Sequence, residues 1–378
     1  MLSSRPKQYL LILLILVLLI PIGFIFVWHR AMYAPMLTRG KTTSIKVLPG
    51  STIHNVTAIL LKNRLITHPN ILIFDARLSG DANKLRFGEY RILPGMSASQ
   101  LLSNIVNGEG LVQYRITFVE GWTFKMMKQL LAKENSIRHL TKGKSNKEIM
   151  ALLGYPKQHP EGRFFPDTYM FTWGNTDLEI LQHAYQSMQH FLSEQWEDRA
   201  PNLPYKDVYQ ALIVASLIEK ETSLASERPI IAGVILRRLK KGMRLQIDPT
   251  VLYGLKKSYA AKITKRDLRS NTAYNTYRIA GLPPTPIDMP SAASIIAALH
   301  PADTNYLYYV SRGDGSHEFT VNYQQHLKAV KRYRAQMKEE KSQKSHDNAT
   351  TQNFNLSKLN LNADSEIFVL MIHFVLGA

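Results

Sequence analysis

Residues 207–222 read DVYQALIVASLIEKET, an apolar helical segment that ends in two acids, Glu219 and Glu221. Apolar residues occupy nearly every side of this segment, and a helix of that kind is normally buried in a core. A carboxyl group at the rim of an apolar helix loses hydration, which raises its pKa and makes it a proton donor near neutral pH. The segment therefore predicts a fold built around a buried helix, with a candidate acid at its end.

The spacing of the two acids limits what they can do together. On an ideal helix, Glu219 and Glu221 point about 200° away from each other, at roughly 100° per residue. They cannot easily flank one glycosidic bond, as the paired carboxyl groups of standard glycoside hydrolases do. The spacing fits a single acid–base residue. The alternative is a pair of ordinary helix-end acids, with Glu221 bound to a cation such as Arg228.

Downstream segments supply polar and aromatic groups that could line a groove. Residues 226–241 predict a helix with an early proline, and residues 306–321 predict a hairpin. Residues 274–277, YNTY, and the proline segment 281–287 would form a wall of the groove, or a connector without a role. Residues 243–250 predict a strand with three polar residues on one face: Arg244, Gln246 and Asp248. This face is either simply exposed to solvent or a row of hydrogen-bonding groups for a polar ligand.

The chain carries 47 Lys and Arg residues against 29 Asp and Glu residues, a formal charge of +18. This excess suits an anionic polymer or a membrane face. Neither zinc-finger spacing nor an aromatic ribonucleoprotein motif is present, so nucleic acid is not predicted as a partner. One basic run precedes Gly242 and predicts a solvated helix end matched to the helix dipole, or else a polyanion-binding patch: Arg237, Arg238, Lys240 and Lys241.

The chain has no cysteine, so neither a disulfide framework nor a thiolate metal site is available. His300 and His317 stand apart in the sequence, and neither a metal site nor a cofactor is predicted. The fold must then rest on packing, for which 378 residues with 45% apolar side chains provide enough material.

Residues 9–28, YLLILLILVLLIPIGFIFVW, contain no charge and have about the length needed to cross the hydrocarbon of a bilayer. The apolar stretch is longer than the core of a typical signal peptide, and no small-residue cleavage site follows it. It predicts an uncleaved membrane anchor. Basic residues lie on both sides of it, so the charge count alone does not decide the topology.

Two α+β units are predicted after the anchor, which places the chain in the α+β class. Residues 43–110 predict a small unit, either a packing module or a glycan-binding module. Residues 111–340 predict a second unit, in which 161–171, EGRFFPDTYMF, is either a core corner or a carbohydrate-binding cluster of aromatic rings. Residues 341–378 are polar and predict disorder, and their apolar end, 367–376, is too short to span a membrane.

Several long blocks, in a fixed order, carry a resemblance to a known family. The blocks are EGRFFPDTYMF, ASLIEKETSLASERPIIAGVILRRLKKGMRLQIDPTVLYG, TAYNTYRIAGLPP and HPADTNYLYYVSRGDGSHEFTVNYQQH. Together they resemble the endolytic murein transglycosylases of the MltG, or YceG-like, family. The resemblance extends from the anchor to about Lys338, and residues 341–378 lie outside it.

The resemblance implies a single-pass anchor in the inner membrane, with residues 1–8 in the cytoplasm. It implies a LysM-like module at 43–110 and a periplasmic catalytic domain at 111–340. The implied substrate is the peptidoglycan glycan strand, the implied partners are penicillin-binding synthases, and no cofactor is implied. The implied catalytic residue is Glu221, the second acid of the E-K-E-T segment. The implied substrate-binding residues are an auxiliary or structural acid and a groove lining: Glu219, Gln246, Asp248, Tyr274, Asn275, Thr276 and Tyr277.

The implied reaction is non-hydrolytic cleavage of the β-1,4 bond between N-acetylmuramic acid and N-acetylglucosamine. Glu221 would protonate the glycosidic oxygen and then accept the proton of the muramic C6 hydroxyl, which leaves a 1,6-anhydro end. Two alternatives stay open. One is a hydrolase of the same bond with a second acid, Asp167 or Asp248, and the other is a catalytically silent glycan-binding scaffold.

Overall fold

The computed structural model of the chain describes residues 5–36 and 40–339. It shows an α+β protein with two compact units, Met1–His190 and Phe191–Ala378. The division between these two units falls near residue 190, inside a helix, and the boundary expected at 110–111 between a module and a catalytic domain stays a prediction. The tail predicted to be disordered, 341–378, lies outside the described residues.

The N-terminal helix α1 spans Arg5–Tyr33 and contains the whole predicted anchor. The segment Tyr9–Tyr33 contains an 18-residue window with a mean hydropathy of 3.4, and it is long and apolar enough to cross a membrane. The end of α1 packs into the unit that follows, where Met32 is 1% exposed and the nearby Met36 is 6% exposed. The Met36 N–H also donates to the carbonyl of Met96 at 2.8 Å. The end of the helix is therefore fixed to the first unit.

The module predicted over 43–110 has the element order β1–α2–α3–β2–α4, with β1 and β2 antiparallel. Helices α2 and α4 begin in capping boxes at Thr52 and Ser97, so local sequence sets both helix starts. The fully buried Tyr90 lies in the apolar core that the elements share. The elements are β1 (Thr43–Val47), α2 (Ile53–Lys62), α3 (Pro69–Leu78), β2 (Gly88–Ile92) and α4 (Ala98–Asn107).

The rest of the first unit is built on a second antiparallel strand pair. Strand β3 continues from the module, because the Val112 N–H donates to the carbonyl of Glu89 at 2.7 Å and Leu111 forms a bridge with Tyr90. These contacts join the start of the predicted second unit to the module. The elements are β3 (Gln113–Thr117), α5 (Phe124–Leu131), α6 (Asn146–Leu152), β4 (Thr168–Thr172) and α7 (Asp177–Glu197).

The aromatic segment 161–171 lies in the core of the first unit. Phe164 is fully buried and Phe171 is 6% exposed. The Phe164 ring stacks on Phe124, with 5.0 Å between the centroids, and the Glu161 carboxylate accepts the Phe124 N–H at 2.8 Å. These contacts support the packing interpretation of the segment.

The second unit is organised around helix α8. Residues 211–218 of this helix are all buried, and α9 and α11 pack against it. The burial predicted from its all-round apolar pattern is confirmed, and its last turn lies at the edge of the core. The elements are α8 (Val208–Glu221), α9 (Arg228–Lys240), α10 (Asp248–Gly254), a short 3₁₀ turn (Asp267–Arg269), α11 (Ala292–Leu299), β5 (Tyr308–Ser311), β6 (His317–Thr320) and α12 (323–339).

The strand predicted over 243–250 is wrong. Residues 243–247 are irregular, and Gln246 has a left-handed φ of 56°, which a regular strand does not contain. The Gln246 N–H donates to the carbonyl of Thr276 at 3.1 Å, so its partner is a loop and not a strand. Exposure nevertheless alternates as predicted, with buried Leu245 and Ile247 between three exposed polar residues: Arg244, Gln246 and Asp248.

The basic run at the end of α9 is not simply the solvated helix end that the sequence predicted. Arg238 is only 7% exposed, and its guanidinium donates to the carbonyls of Leu245 and Leu307 at 2.7 Å each. Arg237 donates to the carbonyl of Tyr306 at 2.8 Å. Both arginines therefore cross-link the second unit, because the carbonyls that they reach are close in space but not in sequence.

Gly233 in α9 provides a test of this packing. A Cβ at this position would lie 2.5 Å from the carbonyl oxygen of Ala302, so backbone would have to move. Alanine in place of glycine usually stabilises a helix by about 1 kcal/mol. Here we expect Gly233→Ala to lower the Tm of the full-length protein in detergent, followed by circular dichroism. Gly23→Ala is the control, because its Cβ meets nothing within 4 Å; a raised Tm for Gly233→Ala would contradict the packing.

Candidate active site

Glu221 is the last residue of α8, where the buried helix reaches the edge of the core. Its side chain is partly exposed. Three other elements supply the groups that act on its carboxyl: Asp248 in the first turn of α10, Arg238 on α9 and Tyr309 on β5. The predicted alternative, a pairing of Glu221 with Arg228, is not among these interactions. The site is therefore assembled from three consecutive helices and from a strand, β5, that comes much later in the chain.

Burial raises the pKa of Glu221 to about 7, from about 4.5. The surrounding protein atoms disfavour the charged form, and the negative charge of Asp248 adds to that effect. The hydrogen bond from Tyr309 and the cation of Arg238 oppose it. A carboxyl group with this pKa is present in both protonation states near neutral pH, so it can give a proton and take one back.

Two tyrosine hydroxyls orient the carboxylates of the site. Tyr309 donates to Glu221, and Tyr277 donates to Asp248 with 2.5 Å between the oxygens. Burial raises the pKa of both phenols above their usual value, and the neighbouring carboxylates raise it further. Both hydroxyls therefore stay protonated and act as hydrogen-bond donors.

Glu219 points to the other side of α8. Its Oε2 accepts the Ser291 N–H at 3.0 Å, the Ser291 hydroxyl at 2.5 Å and the Ser294 hydroxyl at 2.7 Å. Ser291 is the N-cap of α11, so this carboxylate binds the start of a neighbouring helix. Two roles were predicted for Glu219, a structural one and one in substrate binding. These contacts support the structural role.

Two of the predicted groove residues are buried. Asn275 and Thr276 have no exposed surface. The Asn275 amide donates to the carbonyl of Ser270 at 2.7 Å, and the Thr276 hydroxyl accepts the Ile247 N–H at 2.9 Å. The prediction that these two side chains line a groove is therefore corrected. They hold the loop 274–277 in place.

The other predicted groove residues remain accessible. Gln246 and Asp248 are exposed, and Tyr274 and Tyr277 are partly exposed. The Tyr274 hydroxyl shares a hydrogen bond of 2.9 Å with Thr285, which joins the loop to the proline segment. The groups that could meet a ligand are thus one amide, two phenols and two carboxyls, the second carboxyl being that of Glu221.

Sequence reasoning missed the inward position of Arg238, the donor Tyr309, and a pair formed by Glu227 and His317. His317 is not isolated, because its ring Nδ1 lies 2.7 Å from Glu227 Oε2. Such pairs join residues about ninety positions apart and leave no local pattern in the sequence. Within residues 5–36 and 40–339, no group of three or more His, Asp and Glu side chains could hold a metal ion.

Comparisons with known proteins agree with this architecture. Residues 45–332 match the model of the YceG-like family. The endolytic murein transglycosylase of Bacillus subtilis is 30% identical over 334 residues, which cover 82% of this chain and 91% of that protein. A protein of the same name from Streptococcus pneumoniae is 26% identical over 72% of this chain and 54% of its own length. A crystal structure of a YceG-like protein from Listeria monocytogenes has a TM-score of 0.50 at 26% identity, over 77% of this chain and 99% of that one.

The pKa of Glu221 predicts a pH dependence for any reaction in which this residue donates a proton. The protonated form is lost as the pH rises through about 7. We therefore expect kcat/KM to fall about tenfold per pH unit above that value. Rates measured between about pH 5 and pH 9 check this. A rate that stays flat through about pH 8 would show that Glu221 is not the donor.

Stability should depend on pH through the same group. Between about 4.5 and 7 the folded chain binds a proton that the unfolded chain has lost, so the folded state is destabilised as the pH rises through this window. A neutral glutamine avoids this cost. At about pH 8 we expect Glu221→Gln to be more stable than the parent, by on the order of 1 to 3 kcal/mol, in urea unfolding. Glu219→Gln should instead be less stable than the parent, because it weakens the bonds to Ser291. If Glu221→Gln and the parent were equally stable at about pH 8, that result would contradict the burial of Glu221.

Proposed function

Because the chain belongs to the YceG-like family, we propose that it is a membrane-anchored endolytic lytic transglycosylase of peptidoglycan, with Glu221 as its catalytic acid and base. The observation that carries the proposal is the pKa of about 7 at a partly exposed Glu221, beside Asp248 and Tyr309. A reaction with a single acid–base residue needs a group that is available in both forms. The relatives from Bacillus subtilis and Streptococcus pneumoniae bear the name of this activity.

The first step is protonation of the leaving group. Neutral Glu221 donates its proton to the oxygen between N-acetylmuramic acid and N-acetylglucosamine. The electron pair of the broken bond stays on that oxygen, and positive charge develops at C1 of the muramic residue. The exposed carboxylate of Asp248, oriented by Tyr277, stabilises this charge.

The second step closes the ring of the product. The C6 hydroxyl of the muramic residue attacks C1, and the Glu221 carboxylate accepts the hydroxyl proton. The product has a 1,6-anhydro end, no water is consumed, and Glu221 returns to its protonated form. The hydrogen bond from Tyr309 and the charge of Arg238 stabilise the carboxylate between the two steps. Cleavage of nascent strands in this way would limit their elongation.

We assign α1 as a single-pass anchor in the inner membrane, with residues 1–8 in the cytoplasm and the catalytic residues in the periplasm. The length and hydropathy of α1 support membrane insertion. The module over 43–110 is assigned as LysM-like, and its antiparallel strand pair packed with helices is compatible with that assignment. Penicillin-binding synthases are the expected partners, because they produce the strands that this enzyme would cut.

Two other functions fit parts of the same site. A hydrolase needs a second carboxylate, and the exposed carboxylate of Asp248 is the candidate for that role. Asp167 belongs to the first unit, where its carboxylate accepts the Thr168 N–H at 2.6 Å. A glycan-binding scaffold would not need a raised pKa at Glu221. The products of digestion separate the three functions.

The decisive test is digestion of uncrosslinked glycan strands by the full-length protein in detergent, with product masses recorded. We expect anhydro ends, which are one water lighter than the reducing ends that a hydrolase makes, whereas a scaffold leaves the strands unchanged. Glu221→Gln should lower the rate by about 10²-fold to 10⁴-fold, because it removes the proton donor. Glu318→Gln, which removes only the ion pair with Arg332, is the control. Parental cleavage by Glu221→Gln would refute the assignment.

A further inference from the structure

Glu227 is a buried carboxylate that the proposed mechanism does not use. It directly precedes α9 and is 7% exposed, and its side chain makes no capping bond to that helix. The carboxylate instead accepts hydrogen bonds from residues of other elements. A buried charge destabilises a fold unless it is fully bonded, so its partners indicate what it does.

Thr222 connects Glu227 to the catalytic acid. It directly follows Glu221, is the C-cap of α8, and is 5% exposed. Its hydroxyl donates to Glu227 Oε2 at 3.0 Å and accepts the Leu224 N–H at 3.1 Å. Because a planar peptide bond joins Thr222 to Glu221, a shift of Thr222 moves the backbone that carries the acid.

His317 connects Glu227 to the hairpin of β5 and β6. The His317 N–H donates to Glu227 Oε1 at 2.7 Å, and the ring Nδ1 lies 2.7 Å from Oε2. His317 pairs with Ser311 across the hairpin, and its ring meets the edge of the Tyr309 ring, with 5.4 Å between the centroids. The position of His317 therefore sets the position of the strand that carries Tyr309.

Tyr309 completes the path by donating to Glu221. We propose that Glu227 and His317 are positioning residues, which hold the catalytic acid and its tyrosine donor at a fixed separation. Glu227 fixes the acid through Thr222 and fixes the donor through the hairpin. The inference rests on the function proposed above for Glu221.

The bonds to Glu227 are those of a charged group. Burial on its own raises the pKa of Glu227, but the bonds from His317 and Thr222 outweigh burial and hold the pKa below its usual range. The carboxylate is therefore ionised at neutral pH. Hydrogen bonds to an ionised acceptor are roughly twice as strong as neutral ones, so three of them make a stiff connection.

A fixed separation matters because one carboxyl must serve two steps. Glu221 has to be neutral when it donates, and its charge must be stabilised after donation, which the Tyr309 hydroxyl does. A displacement of about 1 Å in such a site can reduce the rate by about 100-fold. The pair should therefore affect kcat and the pKa of Glu221 more than the binding of substrate.

Thr222 offers the cleanest test, because valine has nearly the shape of threonine without its hydroxyl. In the full-length protein we expect Thr222→Val to lower kcat by about 10-fold to 100-fold and to leave KM within about twofold. The alkaline limb of the pH–rate profile should move to higher pH, because the tyrosine bond that lowers the pKa of Glu221 is weakened. Thr222→Ser keeps the hydroxyl and should retain most of the parental kcat and the parental limb.

Glu227→Gln and Tyr309→Phe test whether the pair acts through the tyrosine. If Glu227 acts by holding Tyr309 against the acid, the double variant should lose little more rate than the worse single variant. Losses that multiply would show independent effects and overturn the proposal. Should Glu227→Gln not fold, the comparison of the two Thr222 variants decides alone.

Glu318→Gln is the matched control, because Glu318 is on the same strand as His317 and pairs with Arg332 instead of Glu227. It should keep the parental kcat and pH profile. The proposal is overturned if Thr222→Val lowers the Tm but leaves kcat and the alkaline limb unchanged, since the contact is then only structural. Failure of the proposed function would look different, because the parent protein itself would then make no anhydro ends.

Discussion

The burial of helix α8 on every side is the constraint on which the site depends. Residues 211–218 are enclosed by neighbouring helices, so the last turn carries Glu221 to the edge of a dry core. The carboxyl loses hydration there, and its affinity for a proton rises for that reason. A helix with one wet face would have left the same residue hydrated and ionised, whatever its neighbours in the sequence.

Polar side chains in the second unit divide between support and chemistry according to their burial. Arg238, Asn275 and Thr276 are buried and bond to backbone groups, which fixes irregular segments that no strand or helix would hold. Glu219 does the same at the start of α11. The exposed carboxylate of Asp248, in contrast, is held by a single tyrosine and faces solvent. Rigid support thus comes mainly from buried groups, and the partly exposed Glu219 adds to it.

The parts of this fold that follow from local pattern could be read from the sequence. The buried helix, the long apolar N-terminal helix and the hairpin depend on periodicity, length and turn residues. The alternation of exposure around Gln246 could also be predicted, although these residues do not form a strand. Alternation shows which side chains face solvent, but it does not show which backbone groups pair. The opposite directions of Glu219 and Glu221 followed from helix geometry alone.

The rest of the site depends on contacts between distant segments. No sequence pattern shows that Tyr309 reaches Glu221, that His317 binds Glu227, or that Arg238 turns inward. The bonds that join β3 to the module have no sequence pattern either, since they link backbone atoms rather than side chains. The polar loop 274–277 was predicted to line a groove, whereas Asn275 and Thr276 are buried and hold the loop in place.

The junction between α1 and the first unit has a mechanical consequence. The helix ends with Met32 in the core of the module, and Met36 is bonded to Met96, so the two parts cannot pivot independently at this joint. If α1 spans a bilayer as proposed above, it would tilt to match its apolar length to the bilayer. Any such tilt would rotate the module together with the helix. Bilayer thickness would then steer the direction in which the module faces.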